Sequence, residues 1–245
     1  MQLRRSFKVV AWLGDNPPEW LFLERHLAYA KSSEDHNTIL IPDFVFWAWP
    51  EAGIVDYVQM AAQMIDASRC THSKRGLFWI GGDHHHPTRK LLFDLAQHDR
   101  RIIAQSVEFI GNKADAPRHL LPTKNKNFVS LPSHCDYQYL IDLQGAGYSA
   151  RLKLLLFSGR PLFIQQRRPH EYFFDRLEPF KHYIPVSEDL SDLSAMLDWA
   201  DSHPTEAASI ARTAQEFAKE NLMREHAVAE FKRIFLQLSN GAEST

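Results

Sequence analysis

The chain has 245 residues, 44% of them hydrophobic, which is enough for one large α/β domain or two small ones with real cores. Its 28 basic and 30 acidic residues leave a formal charge of −2, which argues against a generic polyanion binder and against nucleic acid as the default partner. Cys70 and Cys135 cannot build a disulfide framework, no secretory h-region opens the chain, and no apolar run reaches the roughly 18 residues of a membrane-spanning helix. A reducing cytosol is therefore expected, with any membrane contact peripheral.

In chain order, Phe7 to Leu13 reads as a buried strand and Pro17-Pro18-Glu19 as the first turn of a helix running to about Ala30. Thr38 to Ile41 and Phe44 to Trp47 are short β-prone runs around Pro42-Asp43. Ile54 to Ala67 has helical spacing in Ile54, Tyr57, Val58, Ala61 and Ile65. The polar, basic segment Ser68 to Arg75 places a domain boundary near Thr71, giving units over 1–71 and 72–221. Leu77 to Ile80 is a strand ending in Gly81-Gly82, Thr88 to Gln97 a helix, Ile102 to Phe109 a strand, and Gly111 to Lys126 a long polar loop. A strand ending at Asp142 leads through glycines to a helix from Arg151 to Phe157, which Ser158-Gly159-Arg160-Pro161 stops. Leu162 to Gln165 and His182 to Val186 are strands flanking a short helix around Tyr172 to Leu177. The last quarter is helical over Leu190–Ala200, Thr205–Asn221 and Glu225–Leu238. Alternating strands and helices predict an α/β fold with parallel sheets.

The chemistry concentrates in Gly145-Ala146-Gly147-Tyr148-Ser149-Ala150-Arg151. Glycines let backbone N–H groups approach an anion, and Ser149 and Arg151 add side-chain donors at the opening of a helix. Such a turn also occurs for purely structural reasons. Arg151, however, opposes the helix dipole unless an anion or carboxylate sits there. Gly81-Gly82 followed by Arg89 repeats the layout, and two such loops at the carboxyl edge of a parallel sheet could clamp one diphosphate. Asp83-His84-His85-His86 invites a metal reading, but adjacent histidines diverge and no companion ligands are evident, so no metal is expected. Gly147-x-Ser149-x-Arg151 departs from a nucleophile elbow at its last position, which argues against a hydrolase. Phe44, Phe46, Trp47 and Trp49 either stack on a sugar or fill a core.

From Asp136 to Leu222 the sequence resembles glycosyltransferase family 90, the group of capsule-associated proteins, Rumi-type O-glucosyltransferases and bacterial lipopolysaccharide-modifying proteins. The motifs are Tyr139-Leu-Ile-Asp-Leu-Gln-Gly145, Ser149-x-Arg151-x-Lys153 with Ser158-Gly159, Glu171-Tyr-Phe-Phe174, His182-Tyr-Ile-Pro-Val186, Asp189-Leu-Ser-Asp192-Leu and Phe217-Ala218-x-x-Asn221-Leu222. The resemblance implies a GT-B fold of two facing Rossmann-like domains. The N-terminal one would be the acceptor side, with a helix from about 222 to 245 packing back on it, and 72–221 the donor side. It implies inverting, metal-independent transfer of glucose or xylose from UDP-glucose or UDP-xylose, with no cofactor, to a glycan acceptor such as a lipid-linked lipopolysaccharide core. It further implies a diphosphate held by Arg151 and Arg89, with Gly81, Gly82, Gly145, Ala146, Gly147, Tyr148 and Ser149 beside it. Where the family carries its general base this chain has Ala48, just before Trp49-Pro50. Glu51, Asp43 and Asp15 are then the candidates for the base. Ala48 also leaves open a protein that binds a nucleotide sugar without turning it over.

Overall fold

The structure is a computed structural model that describes residues 8–14, 25–107 and 127–241. Two parallel sheets organise the chain. The first takes β1 (Val10–Trp12), β2 (His26–Ala28) and, after the two-residue β3 (Ala30–Lys31), β4 (Thr38–Leu40), in the order β1-β2-β4. Helix α1 (Tyr57–Ser68) leads to β5 (Lys74–Gly81), α2 (Pro87–His98), β6 (Ile102–Ser106), the single turn α3 (Leu131–His134) and β7 (Tyr137–Asp142). Then come α4 (Leu152–Leu155), β8 (Leu162–Gln165), β9 (His170–Glu171), β10 (Ile184–Val186), α5 (Leu193–Ser202), α6 (Pro204–Asn221) and α7 (Arg224–Gly241). The second sheet is ordered β10-β8-β7-β5-β6, with every pairing parallel.

The second sheet is buried on both faces, so its strands are continuous apolar runs whose side chains alternate between two cores. Phe78, Ile80, Leu140 and Ile164 face α1, α4 and α6, while Leu77, Trp79, Ile141 and Phe163 face α2 and α5. Helix α1 packs in the first of these cores through Tyr57, Met60, Ala61 and Met64. The chain leaves β5 toward β6 on one side and returns to build β7, β8 and β10 on the other. Strand order thus reverses between β5 and β7, and the crevice at their carboxyl ends is where such sheets place ligands. Gly159 ends the α4 segment at φ 60, a left-handed conformation that favours glycine.

Helix α7 returns to the first sheet. Ile234 packs with Leu27 and Ile41, and Phe231, Phe235 and Leu238 join them. Two further ties hold this return in place. The buried Tyr57 hydroxyl donates to the Leu222 carbonyl at 2.6 Å, and Arg224 donates to the Phe46 and Trp47 carbonyls at 2.9 and 3.1 Å and pairs with Asp56 at 2.7 Å.

Three expectations change. The first strand, Val10–Trp12, forms but is largely exposed rather than buried, with Val10 and Leu13 open to solvent. Of the helix expected from 17 to about Ala30, residues 17–24 lie outside the described residues, but His26 to Lys31 are strands rather than helix. His26-Leu27-Ala28 fills the slot between β1 and β4, and His26 Nε2 meets Thr38 Oγ1 at 2.8 Å, so tertiary pairing overrides local pattern. Phe44 to Phe46 is a 3-10 turn, not a strand, because Asp43 caps it by accepting the Val45 N–H at 3.2 Å. Asp15, the end of the expected strand at 108–109 and the loop 111–126 lie outside the described residues.

His134 gives the fold a pH dependence. Burial, reinforced by the Arg151 cation, pulls its imidazole down from 6.5 to about 3, so it stays neutral in the folded chain. The unfolded chain takes up that proton below about pH 6.5, so this contribution to stability is complete above about 6.5 and is lost as pH falls toward about 3. We expect the unfolding free energy from urea titrations to drop between pH 7 and 5 less steeply in His134→Gln than in the wild type, by up to about 1.4 kcal/mol per pH unit. Parallel pH profiles would remove His134 as the cause.

Candidate functional site

A cavity of about 500 Å³ opens at the β5/β7 crevice. It is lined by Gly81, His85 and Arg89 from the β5–α2 side, by Gly145, Ala146, Tyr148, Ser149 and Arg151 from the β7–α4 side, and by Phe44, Trp49 and Glu51 opposite, with Leu13 and Gly14. The tight β7–α4 loop needs glycine at 145: its N–H donates to the Tyr148 carbonyl at 3.2 Å, and a Cβ there would lie 2.5 Å from that oxygen.

Charge in this crevice is unbalanced. Asp142, at the end of β7, is fully buried and accepts hydrogen bonds from Ser149 Oγ at 2.5 Å and Arg167 Nη1 at 2.6 Å, with Arg151 Nε 3.7 Å away. Arg89 donates to the Gln144 and Gly82 carbonyls at 2.9 and 2.7 Å, and Arg151 donates to the Ile80 carbonyl. Both guanidiniums also lie against the Trp79 ring, 5.3 and 5.5 Å from its centroid. Three guanidiniums therefore gather around one buried carboxylate, with Asp83 a weaker counter-charge to Arg89. Burial, together with the neighbouring Arg151, pulls Arg89 down to about 10, and burial likewise lowers Arg151. Burial and like charge both disfavour the cationic form, and an anion in the cavity would relieve that strain.

The structure brings together Glu51, Gly81, Arg89, Gly145, Ala146, Tyr148, Ser149 and Arg151 around one space. Gly82 contributes its carbonyl to Arg89, while Gly147 is buried behind the lining. Ser149 spends its hydroxyl proton on Asp142 and so braces the loop. Because α4 is a single turn of four residues, the attraction for an anion comes from the guanidiniums rather than from a helix dipole. The two carboxylate candidates have different surroundings. Glu51 is exposed at the cavity wall in the Pro50–Ala52 turn. Asp43 is 2% exposed and already holds the Val45 N–H, the Tyr148 hydroxyl at 2.9 Å and the Lys153 ammonium at 2.9 Å.

The histidines diverge only in part: the His84 and His85 rings lie 4.2 Å apart, with His84 3.5 Å from Asp83 and His85 facing the cavity, whereas His86 caps α2 by accepting the Thr88 N–H at 3.4 Å. Among the described residues, no group of three or more His, Cys, Asp or Glu is placed to hold a metal ion. No helix among them is long and apolar enough to cross a membrane. Sequence reasoning missed Trp79 and Arg167 and gave Asp142, Lys153 and Glu171 no role. Arg167 had one available signal, a charge two residues after the buried parallel strand β8, at the carboxyl edge where such sheets usually place ligands.

A model of glycosyl transferase family 90 matches residues 25–240. Protein O-glucosyltransferase 1 of Homo sapiens is 26% identical over 227 residues, covering 86% of this chain and 56% of its own length. O-glucosyltransferase rumi of Drosophila melanogaster is 27% identical over 206 residues, covering 80% and 49%. The chain thus spans about half the length of the curated relatives it matches. Among solved structures, a glycosyltransferase from Rickettsia africae ESF-5 aligns with a TM-score of 0.51 at 10% identity, over 94% of this chain and 69% of that one. Anabaena HepE in complex with UDP and glucose gives 0.51 at 11% identity, over 97% and 71%. The architecture is GT-B-like, α/β with parallel sheets.

The excess positive charge makes a direct prediction. Pyrophosphate should raise the melting temperature of the protein, and Arg151→Ala should weaken its binding by about 1.5–3 kcal/mol, the worth of a hydrogen bond to a charged group. Equal calorimetric affinity in wild type and variant would remove Arg151 from the anion site.

Proposed function

The chain belongs to glycosyl transferase family 90, and from that premise we propose that it is an inverting glycosyltransferase moving glucose, or xylose, from its UDP-sugar to an acceptor hydroxyl. The observation that carries this reading is one cavity with two arginines on one wall and an exposed carboxylate, Glu51, on the other. Arg151 and Arg89 hold the diphosphate and stabilise the negative charge that grows on the departing UDP, the role a metal plays elsewhere, so the transfer runs without one. Glu51 removes the acceptor proton as the hydroxyl oxygen attacks the anomeric carbon opposite the leaving group. One C–O bond forms and one breaks, which inverts the anomeric centre. Phe44 and Trp49, ring against ring at 5.9 Å, offer an apolar face for a sugar at the same wall.

The acceptor we propose is a cell-envelope glycan such as lipopolysaccharide core, reached in the cytoplasm with peripheral contact at the inner membrane if it is lipid-linked. The names of the curated relatives, protein O-glucosyltransferases, favour a protein hydroxyl as the second acceptor to assay. Ala48, standing where the family resemblance places an aspartate, favours one further reading: a pocket that binds nucleotide sugar without turnover.

Glu51→Gln separates these readings. It should bind UDP as the wild type does while UDP release from UDP-glucose with acceptor falls by about 10²–10⁴-fold, the usual worth of a general base. A wild type that binds UDP-glucose but releases no UDP with any glycan or protein acceptor supports the binding-only pocket. Full activity in Glu51→Gln moves the base elsewhere, with Asp15 next.

A further inference from the structure

Behind the cavity wall lies an ionic cluster that the proposed chemistry does not use. Lys153 is fully buried, and its ammonium contacts Asp43 Oδ2 at 2.9 Å, Glu171 Oε1 at 2.6 Å and the Ala150 carbonyl at 2.7 Å, which uses all three of its donors. The Phe46 and Tyr148 rings lie 5.6 and 5.8 Å from the ammonium. The three charged members come from three segments: Asp43 from the turn after β4, Lys153 from α4 and Glu171 from β9. β9 is itself paired antiparallel with β3, Glu171 opposite Ala30, so the cluster sits on the seam between the segment carrying the first sheet and the body of the second.

Burying these ions is costly. Two carboxylates face one ammonium, and Glu171 Oε2 has no partner among the described residues. Burial, opposed by Lys153, pushes Glu171 up to about 7, while the two carboxylates outweigh burial and hold Lys153 above its usual value. An apolar trio of the same volume would cost less to bury, so what the ions add is direction. That direction leads to the cavity by two short routes. Asp43 Oδ2 also accepts the Tyr148 hydroxyl at 2.9 Å, and Tyr148 lines the cavity on the arginine side. Asp43 Oδ1 caps the turn that carries Phe44, and the same chain segment continues to Trp49 and Glu51 on the opposite wall.

We propose that Lys153, with Asp43 and Glu171, is a positioning residue for transfer: it fixes the 44–53 segment, and with it Glu51, against the loop that holds the diphosphate. Arg224 holds the far side of the same segment through the Phe46 and Trp47 carbonyls, so loosening the cluster should shift the segment without unfolding the protein. The inference rests on the transferase reading for its kinetic arm and not for its structural one.

Lys153→Met alone would strand two buried carboxylates and is expected to fold poorly. The informative variant is the charge-free triple Asp43→Asn, Lys153→Met, Glu171→Gln, which keeps a side-chain oxygen to cap the 44–46 turn. Hydrogen exchange should rise about tenfold or more at the Trp47, Ala48 and Trp49 amides, with β7 and β8 protected as in the wild type. With UDP-glucose as donor, kcat should fall about 10–100-fold, the cost of a misplaced reacting group, while the donor KM stays within about threefold. Wild-type exchange at those amides, or wild-type kcat in the folded triple variant, overturns the proposal. If the wild-type protein neither binds nor turns over a UDP-sugar, the transferase reading fails, and the exchange measurement still decides whether the cluster fixes the segment.

Discussion

The site depends on one buried carboxylate that is outnumbered. Asp142 ends the central strand β7 in full burial and draws Arg167, Ser149 and Arg151 toward it. A single negative charge is enough to assemble the cations at the strand ends and too little to neutralise them. The reversal of strand order between β5 and β7 then fixes where the surplus appears, because the helices leaving these two strands depart on opposite faces and leave a crevice. Fold and charge thus specify the same place.

The first sheet is small, three short strands among the described residues, and packs against a helix from the far end of the chain. It is carried by elements distant in sequence: α7 covers it with Phe231, Ile234 and Phe235, β9 extends along β3, and Tyr57 bonds the Leu222 carbonyl across 165 positions. A wall built this way delivers Phe44, Trp49 and Glu51 to the cavity from two short turns, the second closed by the Trp49–Ile54 bridge, with Val45, Phe46 and Ile54 buried in the core. Polar contacts of fixed direction add to that packing, Asp43 with Lys153 on one side and Arg224 on the other.

The second sheet was legible because a parallel strand buried on both faces is written as an uninterrupted apolar run; Leu77 to Ile80 and Leu162 to Gln165 show this directly. That the two glycine-and-arginine loops meet at one cavity was legible for a related reason, since both follow parallel strands and therefore open at the same edge of the sheet. The first sheet was not. His26 to Lys31 carries residues that suit a helix as well as a strand, and only pairing decides between them, of His26–Ala28 with β1 and β4 and of Ala30–Lys31 with β9. The aromatic residues of 44–46 favour a strand, whereas the deciding contact is a single capping bond that Asp43 accepts from the Val45 N–H. Asp142, Lys153, Arg167 and Glu171 act through partners as far as 110 positions away, and no local pattern encodes such a contact.

How the arginines are held explains why they remain effective. Arg89 is oriented by the Gln144 and Gly82 carbonyls, and Arg151 by the Ile80 carbonyl with Asp142 farther off at 3.7 Å. A carbonyl fixes the plane of a guanidinium through a directional hydrogen bond but carries no net charge, so it orients the cation without neutralising it. The Trp79 ring does the same from the side, offering a polarisable face against both groups. Had Asp142 closed on Arg151 in a bidentate pair, the loop would be more stable and its cation spent. At 3.7 Å the pair is loose enough to leave Arg151 in place and still charged at the cavity wall, so an anion placed there would need little reorganisation around it.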